Sequence, residues 1–277
     1  MTYLVVSTSG PHKGILFALK IFRRLSKPER RESFLKEVAF LKEKDHPAIM
    51  RVFDEGLFRY RVDGVLNEYP FVVAEYLPQS LYHVIRTGTA DVAQRLTIAT
   101  QLLSALCFLE RSEPQAVHRD IKPQNIFVKG RSCVLGDFGL MKLLDGVDEE
   151  DKMVLKESIG PGMPFFYRTP DLVAYAKNEA LLTVRTDVFQ LGLVLAELFT
   201  GWNPAKRPAG DDMLAPVELD GLRACPGQFS GLVARLLFRM LALDPSERPT
   251  ASQLMDGWLG LFESVCEATH GIEGRVF

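Results

Sequence analysis

The stretch from Val117 to Leu140 constrains this chain more than any other: V-H-R-D-I-K-P-Q-N-I-F-V-K-G-R-S-C-V-L-G-D-F-G-L. A polar cluster, His118-Arg119-Asp120 with Lys122 and Asn125, runs into the apolar Ile126-Phe127-Val128. A turn at Lys129-Gly130 follows, then Cys133-Val134-Leu135, ending on Asp137-Phe138-Gly139. Two short β-type runs around a turn predict a hairpin. Antiparallel pairing brings Asp120, Asn125 and Asp137 to one end of it. One Asp and the Asn, with a lysine between them, can hold Mg²⁺ through oxygen and leave the second carboxylate as a base. Asp, Asn and Gly are also ordinary turn residues. Two such motifs in order, 17 residues apart with a strand-like run between them, ask for more than a turn.

The eight residues His118 to Asn125 resemble the catalytic loop of the protein kinase family, and Asp137-Phe138-Gly139 its metal-binding motif. The resemblance runs from residue 3 to about 268, with six motifs in the family's order. It implies an α+β, bilobal fold: a small antiparallel sheet and one helix in an N-lobe, then a mainly helical C-lobe. Residues 1–77 are expected as an incomplete N-lobe, 78–270 as the C-lobe and 271–277 as a tail. In that tail, Ile272-Glu273-Gly274-Arg275 spells a protease-cleavage sequence used in engineered fusions.

Residues 3–8 and 15–22 read as strands joined by a turn over 9–14. On the second, Leu16, Ala18, Lys20 and Phe22 share one face, and a lysine there is anomalous. The bland reading is an edge-strand lysine snorkelling to water. The resemblance instead gives Lys20 to the α- and β-phosphates of ATP. Ser26-Lys27-Pro28-Glu29 predicts a helix start, with Phe34, Val38 and Leu41 as its apolar stripe. Glu37 stands at the stripe's margin and becomes, by the same resemblance, the partner of Lys20. Phe71 to Pro78 reads as a strand entering a loop. By the same resemblance it is the hinge between lobes, and an adenine site involving Ala18, Ala74, Glu75, Leu77 and Phe127 is implied.

Residues 92–110 have helical periodicity, and residues 186–199 form a helix apolar nearly all round, which belongs in a core. Further amphipathic helices are expected over 233–243 and 251–269. By resemblance, Asp187 ties down the catalytic-loop backbone and Arg248 pairs with Asp171. The same source makes Asp120 the base and gives Lys122 to the γ-phosphoryl group. It makes Asn125 and Asp137 the Mg²⁺ ligands, and His118 and Phe138 part of an apolar column with Leu41 and Val52. Arg119 suggests control by negative charge on the segment after Asp137, through Ser158 or the acidic residues 145–151.

Two departures stand out. Tyr3 and Leu4 occupy the positions of the family's last loop glycine and the residue after it, so the glycine-rich lid and first strand are missing. Either the start is truncated or the protein lacks that lid, whose N–H groups cradle phosphates. A partner segment would then complete the sheet. Gly162-Met163-Pro164-Phe165-Phe166-Tyr167 also lacks the threonine usual before that tyrosine.

Net charge is −2 over 277 residues, which speaks against nucleic-acid or membrane-surface binding. No apolar run approaches the ~20 residues that span a bilayer, and the N-terminus lacks a signal peptide's basic region. Four scattered cysteines with no CxxC pair fit reduced thiols in a cytoplasmic protein. By the resemblance, the chain is expected to be a Mg²⁺- and ATP-dependent serine/threonine kinase acting on a protein substrate. The alternatives are a kinase-like scaffold working through a partner and a small-molecule kinase.

Overall fold

The computed structural model describes residues 2–22, 28–62, 64–145, 155, 165–208, 212, 214–225, 227 and 229–273. The chain divides into two compact units, Met1–Pro78 and Gln79–Phe277.

In the first unit, strands β1 (Thr2–Val6), β2 (Leu16–Ile21), β3 (Val52–Val62) and β4 (Val65–Glu75) form one antiparallel sheet of order β1-β2-β4-β3. Helix α1 (Pro28–Glu43) buries the expected stripe of Phe34, Val38 and Leu41. It lies against the sheet through the ion pairs Arg31–Glu68 at 3.0 Å and Lys42–Glu55 at 2.8 Å. Lys20 pairs in register with Val72, which itself pairs with Glu55, so Lys20 stands on the α1 side of the sheet. Phe22, next on that face, sets its ring 4.3 Å from that of Phe34 on α1. Phe17 and Ile21, pointing the other way, are buried, whereas Leu16 is half exposed. A short strand next to the edge strand has less cover than its alternation promises. Ser26, the expected helix cap, lies outside the described residues, as does the side chain of Glu37.

Of the long β3–β4 hairpin, only the end of β4 coincides with an expected strand, the one beginning at Phe71. The hairpin's two strands are 11 residues each and meet at Val62 and Val65. Asp63-Gly64 between them is the strongest short hairpin signal a sequence offers.

The second unit is built on helix α3 (Val92–Arg111) and helix α5 (Arg185–Thr200). Asp91 caps α3 by accepting the Gln94 N–H at 2.7 Å. By length and composition α3 could cross a membrane, but half of its most apolar window is buried inside this unit. Ile98, Ala99, Leu102, Leu103 and Leu106 sit in the core, against the C-terminal helix and the catalytic hairpin. Helix α5 is buried at nearly every position from Thr186 to Phe199, and Gly201 ends it in a left-handed cap with φ 72°. Gly192 lets it approach the following helix, because a Cβ there would lie 3.0 Å from the Cβ of Met240.

Among the described residues the unit has four further helices: α2 (Leu81–Thr87), α4 (Pro170–Ala176), α6 (Ser230–Met240) and α7 (Ala251–Glu273). The periodicity extends α6 to 243, but it stops at Met240; α7 runs past the expected 269. Strands β5 (Ala116–Val117) and β8 (Lys142–Leu143) pair with each other, and β6 (Ile126–Lys129) pairs with β7 (Ser132–Leu135). The β6–β7 turn is Gly130-Arg131, one residue beyond the expected Lys129-Gly130. Gly130 takes φ 65°, which only a glycine adopts readily.

Candidate active site

The hairpin converges its ends as expected. Ile126 faces Leu135, and the Gly136 N–H donates to the Asn125 carbonyl at 2.8 Å. Asn125 leaves the loop one residue before β6 and Asp137 follows two residues after β7, so their positions are coupled by the strand ladder.

The catalytic-type loop is held from beneath by α5. The Asp187 carboxylate accepts the His118 N–H at 2.6 Å and the Arg119 N–H at 2.9 Å, through one oxygen each. Burial pushes its pKa up to about 6, against the two N–H bonds that favour the charge. These bonds hold Arg119 at φ 65°, a left-handed conformation costing on the order of 1–3 kcal/mol for a residue with a side chain. Arg119 is itself buried. Its guanidinium donates to the carbonyls of Leu140 and Met141, just past the Asp137-Phe138-Gly139 turn.

His118 does more than fill an apolar column. Its Nδ1 accepts the Asp120 N–H at 3.2 Å, so Nε2 carries the proton and donates to the Gly136 carbonyl at 3.0 Å. Its ring meets Phe138 edge-on at 4.6 Å. One imidazole therefore joins the loop that carries Asp120 to the residue before Asp137. Leu41 and Val52, the other residues expected in the column, belong to the first unit.

Asp120 is buried. Lys122 Nζ reaches its two carboxylate oxygens at 2.9 and 2.8 Å, and Asn125 Nδ2 donates to Oδ2 at 2.7 Å and to the Asp120 carbonyl at 2.8 Å. Burial raises its pKa to about 6, helped by the field of Asp137 and opposed by Lys122 and Asn125. Oδ1 is bonded only to Lys122 among these partners, which leaves it a lone pair for an incoming hydroxyl.

Asn125 commits Nδ2 to Asp120, and no donor among the described residues is recorded for its Oδ1. Asp137 sits at φ 60°, a second strained backbone beside the first. An amide oxygen and a carboxylate are hard donors of the kind Mg²⁺ takes. The field Asp137 exerts on Asp120 is also the kind a cation relieves. The donor set fits the ion. Among the described residues no group of three or more His, Cys, Asp or Glu side chains offers a rival metal site.

Other expected residues fall in the first unit. Lys20 is on β2 with its ammonium 5.0 Å from the centre of the Phe22 ring. Ala18 and Ala74 face each other in register across β2 and β4, and Ala74 is buried. Glu75 accepts the Arg51 N–H at 3.2 Å, which closes the start of β3 onto the end of β4. Leu77 lies in the loop beyond. Phe127 is on β6 in the second unit and bridges to Ser80. Ser158 and residues 148–151 lie outside the described residues.

Away from the loop, Arg248 and Asp171 pair at 3.0 Å, both almost wholly buried, and Arg248 also donates to the Arg185 and Ala242 carbonyls. The expected partners meet.

A buried aspartate with a lysine on it thus stands beside an asparagine and a second aspartate at the ends of one hairpin. The family model for the protein kinase domain matches residues 4–259, and the chain belongs to that family. It is 26% identical over 253 residues to the serine/threonine-protein kinase pkn2 of Myxococcus xanthus, covering 87% of this chain and 28% of that protein. It is 28% identical over 236 residues to the human serine/threonine-protein kinase Nek2, covering 82% of this chain and 49% of that protein. The chain thus spans between about a quarter and a half of the length of these curated relatives. It is a protein kinase domain whose named relatives are serine/threonine kinases.

Proposed function

We propose that this domain transfers the γ-phosphoryl group of ATP to serine and threonine hydroxyls of a protein substrate. The observation that carries the reading is Asp120, buried and held by Lys122 and Asn125 with one oxygen left for a hydroxyl. In the reaction the substrate oxygen bonds to the γ-phosphorus as the bond to the bridging oxygen of ADP breaks. Asp120 orients that hydroxyl and takes its proton. Lys122 shifts part of its charge from Asp120 to the phosphoryl oxygens, where fixed positive charge is worth most. Asn125 and Asp137 would hold Mg²⁺, which supplies charge neutralisation on the phosphates. Lys20, positioned by Glu37, would hold the α- and β-phosphates, and adenine would lie against Ala18, Ala74, Glu75, Leu77 and Phe127.

The open edge at β1 is where a partner segment would add a strand. A cytoplasmic setting keeps the buried thiols of Cys107 and Cys133 reduced; burial pushes the latter's pKa up to about 12.

Calorimetric titration of Mg·ATP into the protein tests the binding half of the reading. Saturable binding that weakens on Lys20→Met, and that loses its Mg²⁺ dependence on Asp137→Ala, is expected. Equal affinity in all three proteins would contradict the assignment.

A further inference from the structure

Gln190 is wholly buried on α5, three residues beyond Asp187 and so on the same face. Its amide is divided among three backbone groups. Oε1 accepts the Ile121 N–H at 2.9 Å. Nε2 donates to the Arg119 carbonyl at 3.0 Å and to the Tyr167 carbonyl at 2.9 Å. The first two bonds straddle Asp120, one residue to either side. The third reaches a different segment, the end of the stretch that follows Asp137, just before helix α4.

That second segment has further ties to α5 and its end. The Tyr167 hydroxyl donates to Glu197, seven residues along the helix from Gln190, and Asn203 Nδ2 donates to the Phe166 carbonyl at 3.1 Å. Phe166 and Tyr167 are thus fixed to α5 independently of Gln190. What Gln190 adds is a link, because a single planar amide cannot hold both carbonyls unless the two segments keep a set separation. Asp187 fixes the loop at His118 and Arg119 only. His118 and Asn125 hold the N–H and carbonyl of Asp120 from within the loop, and Gln190 is what ties the backbone on either side of Asp120 to α5. A wholly buried glutamine is also costly to hold by accident, since each group left unpaired would lose about 1–3 kcal/mol.

We infer that Gln190 is a positioning residue. It sets the place of the Asp120 carboxylate by clamping the loop on both sides of it, and it ties that place to the end of the segment at Tyr167. Displacing the segment end then displaces the base. The inference rests on the phosphoryl-transfer reading for its catalytic consequence, but the clamp itself does not.

The test compares wild type with Gln190→Met, which keeps length and volume without the bonds, and Gln190→Glu, which keeps the acceptor for Ile121 but cannot donate to both carbonyls. Amide exchange at Ile121 and at residues 165–168 is read beside kcat and KM for Mg·ATP. Gln190→Met should expose the Ile121 amide and loosen residues 165–168. It should lower kcat by about 10- to 100-fold, the scale of a misplaced catalytic group, with KM for ATP within about twofold. Gln190→Glu should keep Ile121 protected, loosen residues 165–168 and still lower kcat. Should Gln190→Met fail to fold, Gln190→Glu decides alone. Wild-type exchange and kcat in the variants that fold overturn the inference, as does lost protection with kcat unchanged. If wild type transfers no phosphate, the phosphoryl-transfer reading falls, and exchange at Ile121 and at residues 165–168 still decides the clamp.

Discussion

The two units hold their functional residues by opposite means. In the second unit Asp120 rests on a buried polar scaffold: Asp187 and Gln190 beneath it, His118 to one side, Arg248–Asp171 farther off. Each of those groups is satisfied by backbone or by an opposite charge, so the loop has one arrangement. In the first unit Lys20 sits on a six-residue strand whose outer neighbour, β1, is the edge of the sheet among the described residues. The sheet face away from α1 holds an apolar concavity of about 620 Å³, lined in part by Tyr3, Val5, Phe58, Tyr60 and Tyr69. Buried polar networks give rigidity because each unpaired member is expensive. A half-covered sheet lacks that penalty. The scaffold under Asp120 is complete within its own unit, while Lys20 stands on the α1 side of a sheet whose other face is covered only in part.

Breaking the scaffold should be costly. Arg248→Met strands the Asp171 carboxylate in the interior, and loss of about 3–5 kcal/mol is expected in denaturant unfolding of the second unit. Amide exchange in β2 and β4 should stay near wild type.

A pH titration comes next in size. Asp187 has a folded pKa of about 6 against an ordinary 3.8. A raised folded value means that the group favours the fold while protonated. Its contribution is therefore present below about pH 4 and is lost as pH rises through 6, by roughly 3 kcal/mol. Asp187→Asn should flatten stability over that interval. An unchanged pH slope would show that the carboxylate titrates as in solvent.

Glycine substitutions sharpen the contrast. Gly192→Ala drives a methyl against the Cβ of Met240, which cannot turn away, and about 1–3 kcal/mol should be lost. Gly56→Ala in the first unit meets the rim of the Phe71 ring at 2.9 Å, and that ring is only partly buried. Under about 1 kcal/mol is expected there. Equal melting-temperature losses would erase the distinction. Smallest of all, Phe58→Lys and Tyr60→Lys should change stability by less than about 0.5 kcal/mol while raising solubility.

The sequence made the site more legible than the fold around it. His118 to Asn125 and Asp137 to Gly139 are contiguous, and a two-stranded hairpin can join their ends in only one way. The greasy run to Phe199 announces its own burial. The β3–β4 hairpin was harder to read because Arg59, Arg61 and Glu68 interrupt its apolar alternation, and ion pairs such as Arg59–Glu68 satisfy them across the strands. Helix α2, at seven residues, is too short to show a period. Alternation along β2 says which residues share a side, and not how deeply each side is covered. Gln190 had no signal at all. A lone glutamine in an apolar helix shows its purpose only when the carbonyls of Arg119 and Tyr167 are seen to meet it.

The most direct measurement is transfer of labelled γ-phosphate from Mg·ATP to a generic basic protein, wild type beside Asp120→Asn, with phosphoamino-acid identification. Wild type should yield phosphoserine or phosphothreonine. Asp120→Asn should lose at least about 100-fold in rate while keeping its thermal midpoint and its Mg·ATP binding. Transfer by Asp120→Asn at the wild-type rate, or a wild type that binds Mg·ATP and transfers nothing, would contradict a catalytic role for the buried aspartate.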